Sequence, residues 1–341
     1  MKNKETTIFF ALIVLIIIAV MIIANYRQSL VMELRAPTGG VRKLFTCSDN
    51  LVAVSNSNEV WVWKWDKLQL PPIKASTDAI DITLMENNKL VWIPRTTPGK
   101  IVIGDFSGKK IDREFDLGFG LRAEMLKSSR NGKYTVVAAI GGTEENKTLK
   151  CFILTSEATS LNSVINLNDL GENFDLGDID ISDTGNTVAV VGKKDTGWIA
   201  VIDTKEENML WEKSFSEAAK ITKLALSGND SLICFNKNND VCIYDLKNQS
   251  KLNVINVESK LHPDNNYISA IKLTLRNNLI VVGGMYLDLN FISLKEKKMK
   301  RRINTGHHIF SEIAIDPDSN VLATSDLRGD GIIKIWKIPG N

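Results

Sequence analysis

GHHIFSEIAIDPDSNVLATSDLRGDGIIKIWKI, residues 306–338, holds three short apolar runs separated by polar turns. The turn Asp316-Pro317-Asp318-Ser319 precedes a compact run, Val321 to Ser325, and Asp330-Gly331 precedes another, Ile332 to Trp336. Asp, Asn, Gly and Ser accept left-handed or Asx-turn backbone cheaply, so each cluster reads as a tight turn between strands.

Working outward, the same unit recurs along the chain. Second strands are expected at Leu51 to Val54, Leu90 to Ile93, Val136 to Ala139, Val188 to Val191, Leu232 to Phe235, Leu279 to Val282 and Val321 to Ser325. Third strands are expected at Val60 to Trp63, Ile101 to Ile103, Cys151 to Leu154, Ile199 to Ile202, Val241 to Tyr244, Phe291 to Leu294 and Ile332 to Trp336. Successive units lie roughly 40 to 50 residues apart, the spacing of four-stranded propeller blades. Most of the inner runs are continuously Val, Ile and Leu rather than alternating, as strands sandwiched between two neighbouring sheets should be. The pattern predicts an all-β fold, a seven-bladed β-propeller over residues 29–341.

The last unit ends on Ile338-Pro339-Gly340-Asn341 with only three strands, leaving one open edge. Ser29-Leu30-Val31-Met32-Glu33-Leu34-Arg35 alternates as an edge strand does and matches Lys300 to Asn304 before the last unit. It is expected to close the ring.

Gly306-His307, the Asp316 turn, Leu322-Ala323-Thr324-Ser325, Asp330-Gly331 and Ile333-Lys334-Ile335-Trp336-Lys337 follow one another in an order that resembles the WD-repeat family. Elsewhere the echo is degenerate, as in Tyr244-Asp245 and Ile202-Asp203. The resemblance implies a buried structural network of His307, Ser325, Asp330 and Trp336. It also implies a protein-binding face built from the loops between second and third strands and those between blades. That face would carry Met285, Tyr286 and Tyr267 as its interaction residues, aromatic and Met side chains being enriched at interface cores.

From Ile8 to Ala24 every residue is apolar (IFFALIVLIIIAVMIIA). At about 1.5 Å per residue such a run nearly spans a hydrocarbon core. The sequence therefore predicts a short tail (residues 1–7), one transmembrane α-helix (8–25) acting as a signal-anchor, and a lipid bilayer contact through it. Lys2 and Lys4 before the helix against Arg27 and Arg35 after it favour a single-pass protein, with a cytoplasmic N-terminus and the propeller outside the cytoplasm (periplasm, cell exterior or lumen).

The 341 residues include 42 basic and 40 acidic side chains, a formal charge of +2 that supplies no field for a polynucleotide, so no nucleic acid partner is expected. The four cysteines lack C-x-x-C spacing and read as core hydrophobes, with a Cys234–Cys242 bridge across a short turn left open. No H-E-x-x-H, G-x-S-x-G, P-loop or dinucleotide fingerprint is present, so neither catalytic residues nor a cofactor are assigned. Glu172, Asp175, Asp178, Asp180 and Asp183 read as solvated loop charges rather than a calcium loop, which would need other spacing. Lys295, Lys297, Lys298, Lys300, Arg301 and Arg302 read as an outer edge protected from aggregation, or as a lipid- or phosphate-binding patch.

The expected function is that of a membrane-anchored scaffold, an assembly or recruitment factor with protein partners. The alternative is a propeller enzyme or ligand sensor with a channel-centred site outside the cytoplasm.

Overall fold

A computed structural model describes residues 12–17, 29–35, 40–76, 78–107, 109–143, 146–168, 170, 172, 174–194, 196–216, 219–257, 267–274, 276, 278–307, 310–327 and 331–339. Its 28 strands pair into seven antiparallel sheets of four. Six sheets take four consecutive strands. The seventh joins the last three strands to the first, Leu30–Arg35, which runs antiparallel to Ile332–Lys337 with Leu30 opposite Trp336 and Arg35 opposite Ile332. Arg301 Nη2 donates to Ser29 Oγ at 2.6 Å, tying this closing strand to the outer strand of blade six. The ring is thus shut as expected, and no third strand of blade seven is left as an edge.

Why the middle strands read as unbroken apolar runs is visible in blade one. Val52 and Val54 pack toward blade two, whereas Leu51 and Ala53 pack toward blade seven. Strand alternation sends successive side chains to opposite faces, and here both faces are core. Each such Val or Leu side chain contributes roughly 1.5–3 kcal/mol of burial. The outer strands bury one face only: Lys298–Ile303 keeps Lys298, Lys300 and Arg302 exposed, which is the edge protection expected of the basic run.

The tight turns from first to second strand use left-handed residues, including Ser48 (φ 54°), Asp230 (φ 60°), Asn278 (φ 48°) and Ser319 (φ 57°). At Gly185 (φ 73°) a Cβ would lie 2.7 Å from the Tyr134 ring, so glycine is required there for close approach as well as for backbone freedom. These turns define the lower face of the disc. The second-to-third-strand turns and the inter-blade loops define the upper face.

The expected membrane helix is corrected. Residues 12–17 are helical, about 9 Å at ~1.5 Å per residue, against the ~30 Å of a hydrocarbon core. The remainder of 8–25 lies outside the described residues, and among those described no helix is long and apolar enough to cross a membrane. The single-pass topology with an external propeller is therefore not upheld.

Candidate functional site

The innermost strands are Val41–Cys47, Ala79–Met85, Arg122–Ser128, Asp175–Ile181, Leu224–Leu226, Tyr267–Thr274 and Phe310–Ile315. One apolar residue in each anchors the strand in the core at an equivalent place: Leu44, Ile82, Leu126, Ile179, Leu224, Ile271 and Ile313. Six of these strands break register with their second strand just before the anchor, for example between Val41 and Lys43 and between Leu176 and Asp178. Such a bulge bends the strand and re-aims the adjacent side chain. In blade five Asn236 does this work, its Oδ1 accepting the Thr222 and Lys223 N–H groups at 2.9 and 2.8 Å.

The positions flanking the anchors carry the charge. Before them come Lys43, Asp81, Asp178, Lys223 and Glu312; after them come Lys127, Asp180 and Lys272. Lys43 Nζ lies 2.9 and 3.0 Å from the two Asp81 oxygens, 3.0 Å from the Ile82 carbonyl and 2.8 Å from the Leu126 carbonyl. Asp81 in turn accepts the Ile82 and Leu126 N–H groups at 2.9 and 2.8 Å. Asp178 repeats the device one pair of blades further on, accepting Ile179 N–H at 3.0 Å and Leu224 N–H at 3.3 Å. Lys127 pairs with Asp178 at 3.5 Å, while Lys223 and Lys272 reach Glu312 at 3.6 and 3.7 Å.

Burial works against every one of these charges, and the outcome differs by neighbour. It wins at Asp180, whose carboxyl is pushed above the ordinary range against the pull of Lys127 and Lys272. It wins also at Lys272, where repulsion from Lys127 adds to it and the ammonium is held below its usual value. At Glu312 burial loses to Lys272, Lys223, Lys127 and Lys43, and the carboxyl is lowered to about 2. Lys127 and Lys223 are likewise raised despite burial, by Asp178 and Glu312. A cavity of about 100 Å³, lined by Lys43, Lys127, Asp180, Lys272 and Glu312, occupies the channel beneath this ring. Arg130 and Asp183, paired at 2.8 Å, stand at its lower mouth.

The lower face is stitched from blade to blade. Asn131 Nδ2 donates to the Asp183 carbonyl at 2.7 Å, Thr184 Oγ1 to Asp230 at 2.6 Å, and Arg276 to Asp318 at 2.5 Å. The upper face instead presents apolar side chains. Phe119 stands fully exposed at the tip of the loop between blades two and three, held there by Gly118 (φ 95°) and Gly120 (φ 75°). Its base is fixed by Leu117 N–H on the Gly99 carbonyl at 2.9 Å and Ala123 N–H on the Pro98 carbonyl at 2.8 Å. Tyr267 and Tyr286 are 48% and 37% exposed on the same face, and Tyr267 lies opposite Met285 across the first and second strands of blade six. Met285 is only half-exposed and ends a strand; Tyr286 alone forms the turn before Leu287. Leu327 adds a further exposed apolar side chain in blade seven.

Other expected positions fall differently. Trp336 Nε1–H donates to Thr324 Oγ1 at 2.8 Å, and the same hydroxyl shares a 2.9 Å hydrogen bond with His307 Nε2. Thr324, not Ser325, joins these two rings; Ser325 bonds Ser311 on the other side of the strand. Asp330 lies outside the described residues. Of the acidic stretch, Asp178 and Asp180 face the channel rather than solvent. No metal-binding group of acidic, His or Cys side chains occurs among the described residues.

Cys234 stands opposite Ile243, one residue from Cys242, so the two thiols point to opposite faces of blade five and pack in different cores. A bridge between them is excluded by the pleat. Burial also pushes Cys151 up to about 12 and Cys242 up to about 11.

The residues that sequence reasoning missed are Phe119 and the channel ring. A lone Phe between two glycines signalled the first. The second was written in the residues on either side of one apolar position per repeat, in the least regular strand of each blade.

The fold defines a seven-bladed β-propeller. No family model matches the chain, and no curated protein matches it. Among solved structures it is similar to the β-propeller domain of Myceliophteria thermophila Cps50 (Swd1), with a TM-score of 0.66 at 12% identity, covering 91% of this chain and 99% of that one. Because 1327 solved chains share significant likeness, the resemblance fixes architecture and leaves function to the site.

Proposed function

We propose that this protein is a protein-interaction module that receives its partner on the upper face. The observation that carries the reading is that exposed Phe119, Tyr267 and Tyr286 all lie on that one face. Aromatic anchors dominate the energetics of protein interfaces, and Phe119 stands out on a loop whose base is hydrogen-bonded to the neighbouring turn. The hydrogen-bonded lower face supports the same assignment, because its turn residues are already engaged with each other. The rigid ring then serves to hold the loops in fixed relation, which suits a scaffold or assembly factor.

The test is residue-specific photo-crosslinking in cells. A photoreactive side chain at Phe119 or Tyr286 should yield a discrete protein adduct, and one at Asn131 or Asn229 on the lower face should not. Adducts formed only from the lower face, or none from either, would refute the assignment. Phe119→Ala should abolish capture at position 286 while leaving the thermal midpoint in place.

A further inference from the structure

Lys43 and its fellow channel lysines are not equivalent. Lys43 meets four acceptors within 3.0 Å, more than its three N–H donors can use. Lys127 and Lys272 approach carboxylates only to 3.5 and 3.7 Å, long beside the ~2.7–2.9 Å of an ammonium–carboxylate hydrogen bond. Two of the carboxylates nearby also accept backbone N–H groups: Asp178 accepts two, and Asp180 accepts Leu226 N–H at 2.9 Å. Lys127 and Lys272 thus present N–H donors to the cavity that no carboxylate takes up at that short distance. Both ammoniums line it, and they repel one another.

A guest that uses these donors must be rich in acceptors and carry negative charge. It must also be small, since the cavity is about 100 Å³. A metal cation fits poorly, facing the Lys127 and Lys272 ammoniums. We propose that the channel cavity binds a small oxyanion of phosphate size, gripped by Lys127 and Lys272 and entering past the Arg130–Asp183 pair. A free phosphate ion and the phosphate group of a monoester offer the same chemistry to these lysines.

Isothermal titration of the full chain with inorganic phosphate, and separately with O-phosphoserine, tests this against chloride at matched ionic strength. Saturable binding of phosphate at one site per chain is expected. Binding of phosphoserine as well identifies a terminal phosphate group as an admissible guest; binding of phosphate alone identifies the free ion, and both results uphold the site. Lys272→Met should weaken binding roughly tenfold. Glu312→Gln should tighten it, because the competing charge beside Lys223 and Lys272 is removed, so the two variants move in opposite directions and one remains informative if the other does not fold. No saturable phosphate binding by the unaltered protein, or binding unchanged in a folded variant of either kind, would overturn the proposal.

Discussion

Lys43 of blade one and Asp81 of blade two form an ion pair at 2.9 Å in which both partners are also hydrogen-bonded to the backbone around Leu126 of blade three. Three blades thus meet on two side chains. Removing one partner leaves the other buried and uncompensated, which costs about 3–5 kcal/mol. Asp81→Ala should lose stability of that order in urea unfolding. The double variant Lys43→Met/Asp81→Asn should recover part of the loss, since the buried charge is gone and the Asn oxygen still accepts one of the Ile82 and Leu126 N–H groups.

Acid should weaken the ring through Glu312. Its carboxyl is lowered from 4.5 to about 2 in the folded state, so on acidification the unfolded chain takes up the proton first. The resulting stability is whole above about 4.5, shrinks as the pH falls toward about 2, and vanishes below. Urea unfolding of the unaltered protein and of Glu312→Gln should show a gap at about pH 5 that closes by about pH 2.

Thr324 is fully buried and serves two rings, so Thr324→Val should remove one hydrogen bond each from His307 and Trp336. Each lost hydrogen bond costs ~0.5–1.5 kcal/mol. Ser325→Ala disturbs only the pairing with Ser311 and should cost less. Thermal or urea unfolding of the two variants ranks them directly, and the reverse order would contradict the geometry.

Deleting the chain through Arg35 removes the strand paired to Ile332–Lys337 and bares an edge in blade seven. Unpaired edges recruit other chains. The truncated protein should elute as concentration-dependent oligomers in size-exclusion chromatography, and a stable monomer would show that the closing strand is dispensable.

The blades were legible because their signal is local. A run such as Val188 to Val191 between turn residues specifies a doubly buried strand wherever it sits, and all seven second and third strands fall where those runs lie. The closing strand was legible too, from a missing fourth strand at one end and a spare alternating segment at the other. Thr324 and Ser325 could not be told apart by their order alone, because successive residues face opposite ways and one irregularity reverses the choice. The same rule separates Cys234 from Cys242.

The amino-acid order by itself determined seven four-stranded blades, their turns and the segment that shuts the ring. Only the tertiary structure decided the charged channel, the exposed aromatic face and the absence, among the described residues, of a spanning helix. The physical reason lies in distance along the chain: Lys43, Asp81, Lys127, Asp178 and Glu312 become neighbours only when the ring closes. Bulges beside six of the seven anchors then turn them inward, and no local pattern encodes which charge will meet which.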